Sequence, residues 1–308
     1  MSTDGPHGVL VVDKPAGKTS HDVVAIVRRL LRDAGLKGWK VGHAGTLDPD
    51  ATGVLVVALG RATRLVTYVQ AGRKTYDARI RLGATTSTLD ASGEILTEAD
   101  ASGVNEPMLC EALKSFVGDI EQIPPMVSAV KVGGERLYLK ARRGEEIERK
   151  PRPVTISDIV LEDFVPGPRA EAAFLVTCSA GTYIRTLAAD VGDKLGVGAH
   201  LVTLRRLASG RFGVQEAVTL DALMELGGDR LGEVLLSPAA ALADFPTRAA
   251  TADEVVDVAH GRFLSPTGVP GPVALVSADG TLLAMVEDQG SQARPQVVLA
   301  PAGQEGAA

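Results

Sequence analysis

The stretch KTYDARIRLG, residues 74–83, constrains the fold more than any other part of this chain. Read as a strand, it puts Tyr76, Ala78, Ile80 and Leu82 on one face and Asp77, Arg79 and Arg81 on the other, because side chains alternate with a period of two. An antiparallel sheet accepts a strand that is apolar on one side and wet on the other, whereas an all-parallel sheet is covered on both faces. The runs GVLVV (8–12) and GVLVVALG (53–60) lack this alternation and read as fully buried strands. Between them, SHDVVAIVRRLLRDAG carries Val23, Val24, Ile26, Val27, Leu30 and Leu31 on one helical face, with Ser20 as the expected N-cap and Gly35 as terminator. Strands and helices then intermix without a regular βαβ period, so the expected class is α+β with a mainly antiparallel sheet.

Later segments extend this reading. RATRLVTYVQ predicts a short helix, ATTSTLDASGEI a polar connection, and residues 105–117 a helix. EAAFLVTCSAGTYIRTLAADVGDKLG runs from a strand into a helix opening near Thr182, and HLVTLRRLASGRFGV suggests a hairpin. The Gly, Pro and Ala runs of 228–247 read as a linker, and 248–302 as a small β-rich domain. At 308 residues and 45% hydrophobic composition, the chain can bury one large core and a smaller one.

Composition also narrows the function. No run of about 18 apolar residues occurs, which excludes a membrane-spanning helix. MSTDGPHGVL lacks the basic-then-apolar layout of a signal peptide, so a cytoplasmic location is expected. Cys110 and Cys178 are far apart and without CxxC or His spacing, which points away from a disulfide framework or a zinc site, and Cys178 reads as a small core residue. The net charge of −6 is unevenly spread: residues 1–81 hold 13 Lys and Arg against 7 Asp and Glu, and residues 212–308 hold 4 against 13. Phosphate affinity follows the local field rather than the sum, so a basic face on the first two-thirds remains open.

One loop stands apart. HAGTLDPDATG, residues 43–53, combines turn residues with two carboxylates. Asp48 precedes Pro49, which confines its backbone to extended geometry and restricts the direction of its side chain. A tight turn would explain the composition. A carboxylate fixed on a loop also suits covalent or acid–base chemistry. Asp48 and Asp50 together would suit a glycosidase-like pair or a divalent metal site, although an i, i+2 pair on one turn rarely faces one point. GTYIR (181–185) adds Arg185, able to hold Asp48 ionised, and Tyr183; Tyr76 could stack on a planar ligand.

Five segments in this order, GVLVVDKPAGKTSHDVV, GHAGTLDPDATGVL, KTYDARIRLG, GDIEQIPPMVSAVKVGGERLYLKARRG and CSAGTYIRTLAADVGDKLGVGAHLVTLRRL, resemble the bacterial tRNA pseudouridine-55 synthases, the TruB family, over roughly residues 8–220. The resemblance implies a pseudouridine-synthase fold, a mixed and mainly antiparallel sheet with a central cleft, and a small β-rich C-terminal domain resembling the PUA type. It implies a catalytic domain at 8–227 with an RNA-contacting insertion at 124–152, a linker at 228–247, and the C-terminal domain at 248–302. The implied reaction is isomerisation of uridine 55 in the T loop of tRNA, with base flipping and with neither metal nor cofactor. Asp48 matches the family's essential aspartate, which attacks base or sugar or takes a proton. Tyr76 matches the stacking tyrosine, Arg185 the arginine paired with the aspartate, Tyr183 and Leu204 the pocket wall, and His43 an RNA contact. Lys14 is expected in a structural or RNA-contact role.

Residues 131–152 carry eight Lys and Arg against four acidic residues, and Lys131, Lys140, Arg142 and Arg143 are candidate RNA contacts. The expected partner is the tRNA T stem-loop, with no guide RNA and no membrane, and a monomer is expected. DAGLKGWK (33–40) is longer than in many family members, and the acidic C-terminal part resembles the family only loosely. A second reading makes the chain a tRNA-reshaping chaperone, in which catalysis matters little. An inactive relative would be expected to lack Asp48, Tyr76 or Arg185, and all three are present.

Overall fold

The structure, a computed structural model, describes residues 5–126, the backbone of 131–132 and 135–136, and residues 147–299. The chain opens with β1 (Gly8–Lys14) and α1 (Ser20–Asp33), then β2 (Val41–Ala44) and β3 (Thr52–Leu59). A 3₁₀ turn leads into α2 (Val66–Ala71), and β4 (Lys74–Leu82) follows. A hairpin of β5 (Ala84–Thr86) and β6 (Ile95–Glu98) precedes α3 (Glu106–Lys114) and β7 (Gly118–Gln122). A small hairpin, β8 (Lys131–Val132) and β9 (Glu135–Arg136), is followed by the long antiparallel pair β10 (Arg152–Val165) and β11 (Glu171–Cys178). Then come α4 (Ile184–Lys194), β12 (Ala199–Ser209), β13 (Phe212–Gly213) and β14 (Val218–Thr219).

These strands form one ten-stranded mixed sheet in the order β14-β1-β3-β12-β4-β11-β10-β7, with β2 on β3 and β13 on β12. Most neighbours are antiparallel; β1 with β14 and β12 with β3 are the parallel contacts. The alternation expected of β4 is present, and Lys74 joins Tyr76, Ala78, Ile80 and Leu82 on its buried face. On the outer face Arg79 pairs with Asp163 and Glu171, and Arg81 with Glu171. Part of the N-terminal basic excess is therefore neutralised across the sheet.

β1 and β3 read as unbroken apolar runs because they are covered twice. Leu10, Val12, Leu55 and Val57 meet Val23, Val27 and Leu31 of α1, each worth about 1.5–3 kcal/mol when buried. Val9, Val11, Val54 and Val56 share a second core with Ala274, Leu282, Met285 and Leu299. Ala274, Leu282 and Met285 belong to the C-terminal sheet of β15 (Thr247–Ala249), β16 (Val273–Val276), β17 (Leu282–Gln289) and β18 (Gln292–Val298), and Leu299 directly follows it. Residues 228–247 pack onto the main body: Leu231 is buried in the first core, and Val9 and Leu236 exchange both backbone hydrogen bonds at 2.9 Å.

Two local expectations change. Thr19, not Ser20, caps α1, in a capping box with Asp22, which leaves the Ser20 hydroxyl for another partner. The polar connection after β4 contains the β5–β6 hairpin, which sequence patterning misses because all of β6 is exposed, Ile95 and Leu96 included.

The parallel contact between β3 and β12 is only two residues long, Thr52 with Arg205 and Gly53 with Arg206. Gly53 has φ +97°, and a Cβ there would lie 2.2 Å from the Arg206 carbonyl oxygen. Gly53→Ala is expected to cost about 2–3 kcal/mol in urea denaturation, combining a left-handed backbone with a clash against main chain. A change below about 0.5 kcal/mol would contradict this packing.

Candidate active site

The loop between β2 and β3, residues 45–51, is fixed from beneath by two buried cations. Lys14, fully buried at the end of β1, directs its ammonium to the carbonyls of Pro49 (2.8 Å), Lys18 (2.6 Å) and Pro15 (2.9 Å). Arg206, buried on β12, donates from Nε to Val54 O (2.7 Å), from Nη2 to Gly45 O (3.1 Å) and from Nη1 to Thr46 O (3.4 Å). Ser20, released from capping, donates to Leu47 O (3.1 Å) and accepts from Leu47 N–H (2.9 Å). Gly17 N–H also reaches Pro49 O at 3.0 Å, and Ala51 N–H reaches Asp48 O at 3.2 Å. Both flanks of Asp48 are thus held by main-chain hydrogen bonds.

The Asp48 carboxylate meets Arg185 in a two-point pair, Nε to Oδ2 at 3.0 Å and Nη2 to Oδ1 at 3.3 Å. Arg185 sits in the first turn of α4 with its side chain 5% exposed, while Asp48 keeps 43%. The acid therefore faces a cleft and the base lies behind it. Arg185 Nη1 also reaches Asp90 Oδ2 (3.4 Å) and Thr88 O (3.1 Å). The cleft, about 200 Å³, is lined by Asp48, Asp90, Arg185, Leu201 and Leu204, among others. Burial raises the Asp48 carboxyl above its ordinary value; Arg185 opposes this and Asp90 adds to it. With 43% of the side chain still accessible, water keeps access to the charged form.

Of the residues expected from sequence, Asp48, Arg185 and Leu204 share this cleft. Tyr76 is buried on β4; burial raises its pKa, with the nearby Arg206 charge opposing. Tyr183 is half-buried at the residue that precedes α4. His43 lies on β2 with its ring edge-on to His21, centroids 5.9 Å apart. Of the two roles open for Lys14, its enclosure and its three carbonyl partners support the structural one. Lys131 belongs to the β8–β9 hairpin, paired with Arg136, and Lys140, Arg142 and Arg143 lie outside the described residues.

The 33–40 loop is fastened to the N-terminal segment: Trp39 stacks on His7 at 5.0 Å and donates from Nε1 to Pro6 O at 2.8 Å. Sequence reasoning missed Asp90 and Arg206. Asp90 carries no signal, being one acid in a polar connection. Arg206 had one: Arg205 and Arg206 are adjacent in a strand, so period two turns one of them inward. Among the described residues, no three His, Cys, Asp or Glu side chains converge as a metal site would require, and no helix is long and apolar enough to cross a membrane.

Comparison with known proteins decides the family. Residues 28–184 match the model of the TruB family pseudouridylate synthase N-terminal domain. Residues 185–242 match the tRNA pseudouridylate synthase B C-terminal domain, and 245–300 match the C-terminal region of tRNA pseudouridine synthase II. The chain belongs to the TruB family of pseudouridylate synthases.

Relatives include tRNA pseudouridine synthase B of Thermobifida fusca, 47% identical over 95% of this chain and 98% of that protein. That of a Mycobacterium species is 46% identical over 96% and 97%, and that of Symbiobacterium thermophilum 52% identical over 82% of each. Among solved structures, a Cbf5-Nop10-Gar1 complex aligns at TM-score 0.73 and 29% identity, covering 96% of this chain and 86% of that one. An H/ACA RNP bound to a substrate RNA containing 2′-deoxyuridine aligns at 0.71 and 26%, covering 96% and 86%. The TruB family fold expected from the sequence is therefore the fold observed.

The site's electrostatics make a pH prediction for pseudouridine formation. If ionised Asp48 does the chemistry, the acid limb lies above 3.8, the ordinary aspartate value. Burial lowers the Lys14 ammonium from 10.5 to about 8, against the raising effect of Asp50 and Asp48. Loss of its proton takes a donor from the loop carbonyls, so an alkaline limb is expected near pH 8. Between about 8 and 10.5 the native chain holds fewer protons at Lys14 than the unfolded chain, so this group makes stability rise with pH. Single-turnover rates beside thermal melts should show the rate falling in that window without any loss of stability attributable to Lys14. A rate that stays flat through pH 9 would contradict the role given to it.

Proposed function

We propose that this enzyme converts uridine 55, in the T loop of tRNA, to pseudouridine, with Asp48 as the catalytic residue. The observation that carries the reading is Asp48 itself. Its backbone is tied down on both sides, and its carboxylate is the part presented to the cleft, backed by a buried arginine. The family names of the relatives support tRNA as substrate. In the reaction the C1′–N1 bond breaks, the freed uracil turns, C5 bonds to C1′, and the C5 proton moves to N1. Atoms balance without an added reactant. Asp48 attacks base or sugar, or takes a proton, and each role needs the ionised form that Arg185 favours.

A base inside a folded loop must be turned out of its stack to enter the cleft. Leu204 forms an apolar wall for it, and Tyr76 is buried on β4 within the field of Arg206. Phosphate contacts lie elsewhere, in the basic 131–152 part of the 124–152 insertion.

Asp48→Asn keeps the size of the side chain and the restricted backbone before Pro49. Single-turnover pseudouridine formation, assayed with only the protein and a tRNA transcript, is expected to fall by on the order of 10⁴. The tRNA Kd should change by less than about threefold, since affinity comes mainly from phosphate and shape contacts. Retained conversion would return Asp48 to the role of a turn residue. Failure of the wild-type protein on tRNA alone would show that another RNA or protein is required.

A further inference from the structure

We propose that Gln122 is a positioning residue for the reaction, fixing Arg185 through the backbone of Tyr183; the inference rests on the catalytic reading of Asp48. Gln122 ends the edge strand β7 and is 1% exposed. Its Oε1 accepts from Tyr183 N–H at 2.9 Å, and its Nε2 donates to Tyr183 O at 3.3 Å. A buried side-chain amide thus spends both ends on one residue, as a paired strand would.

That residue is the weak point of α4. Tyr183 stands at the N-cap, where Ser, Thr, Asn or Asp would normally supply an acceptor, and its side chain makes no capping hydrogen bond. Tyr183 O also accepts from Leu187 N–H at 3.1 Å, so the clamp holds the start of the helix ladder itself. A second tie, Thr186 Oγ1 to Ile123 O at 3.4 Å, joins the same strand end to the same helical turn. Arg185 lies between the two ties. Its guanidinium must meet Asp48, Asp90 and Thr88 together at 3.0–3.4 Å, which leaves little room for a shift of the helix start. A displacement of about 1 Å at such a site can cost on the order of 10²-fold in rate.

The experiment compares Gln122→Met, Gln122→Glu and Asp48→Asn in the full-length protein by single-turnover pseudouridine formation against pH and by tRNA binding. Gln122→Met keeps the volume and removes both bonds. It is expected to react about 10–100-fold more slowly with Kd within about threefold of wild type. Its acid limb should also move to higher pH, because a displaced Arg185 no longer offsets burial and Asp90; Lys14 is the other cation acting on Asp48. Loss of folded protein alone would scale the rate without moving the limb.

Gln122→Glu keeps the acceptor for Tyr183 N–H but, when ionised, has no proton for Tyr183 O and sets an oxygen against it, so it should stay below the wild-type rate. If Gln122→Met does not fold, Gln122→Asn, one methylene short of spanning both groups, carries the same expectation. Wild-type rate and limb in Gln122→Met or Gln122→Asn, with Asp48→Asn inactive, would overturn the inference alone. Full conversion by Asp48→Asn would overturn the catalytic reading beneath it.

Discussion

Two buried cations, Lys14 and Arg206, hold the loop on which the site depends. An ionised group removed from water must recover its hydration from fixed dipoles. Here those dipoles are main-chain carbonyls: Pro15, Lys18 and Pro49 for the ammonium, Gly45, Thr46 and Val54 for the guanidinium. The dependence is mutual. Without the cations these carbonyls would lose their charged donors, Pro49 O keeping only the Gly17 N–H, and without the loop the cations could not stay buried. Hydrogen bonds to charged groups are worth about 1.5–3 kcal/mol each, more than ordinary turn hydrogen bonds supply. A loop built in this way is stiff where most loops are mobile.

Stiffness explains how one carboxylate can be both exposed and aimed. Asp48 reaches the cleft while its neighbours are fastened, and Arg185 meets it from a position with almost no solvent contact. Arg185 is shared between two acids, Asp48 and Asp90. Burial acts most strongly on Asp48 and raises its pKa, Arg185 opposes it, and the Asp90 charge adds to the rise. The sheet supplies the frame. Its short parallel joint between β3 and β12 brings Arg206 against the end of the loop, and the close approach is possible because residue 53 is glycine.

Much of this is legible in the sequence. Period two in β4 and the apolar face of α1 gave the class, since both patterns are set by what each element buries. Asp48 stands out in its loop by the Asp-Pro pair and Arg185 in GTYIR as its possible partner, the family resemblance adds Leu204, and the three meet in one cleft. Asp90 and Arg206 went unread because their partners are distant in sequence. Asp90 acts across the hairpin loop, and Arg206 contacts carbonyls about 150–160 positions away. Lys74, next to Tyr76 on the inward face, is buried because its ammonium turns back to the carbonyls of Gln70 and Gly72, a local device that alternation does not report. The Thr19 cap was displaced by one residue because Ser20 is used instead to pin Leu47.

The central claim is that buried cations aim Asp48, and Arg206→Lys tests it most directly. Lysine keeps the charge but replaces three donor nitrogens in one plane, each on its own carbonyl of Gly45, Thr46 or Val54, with a single ammonium nitrogen that would have to draw the three carbonyls together. The measurement is the single-turnover rate of pseudouridine formation, with tRNA affinity and a thermal melt on the same sample. A folded variant with Kd within about threefold of wild type and a rate lower by on the order of 10² is the predicted result. A folded Arg206→Lys protein that converts tRNA at the wild-type rate would contradict the account.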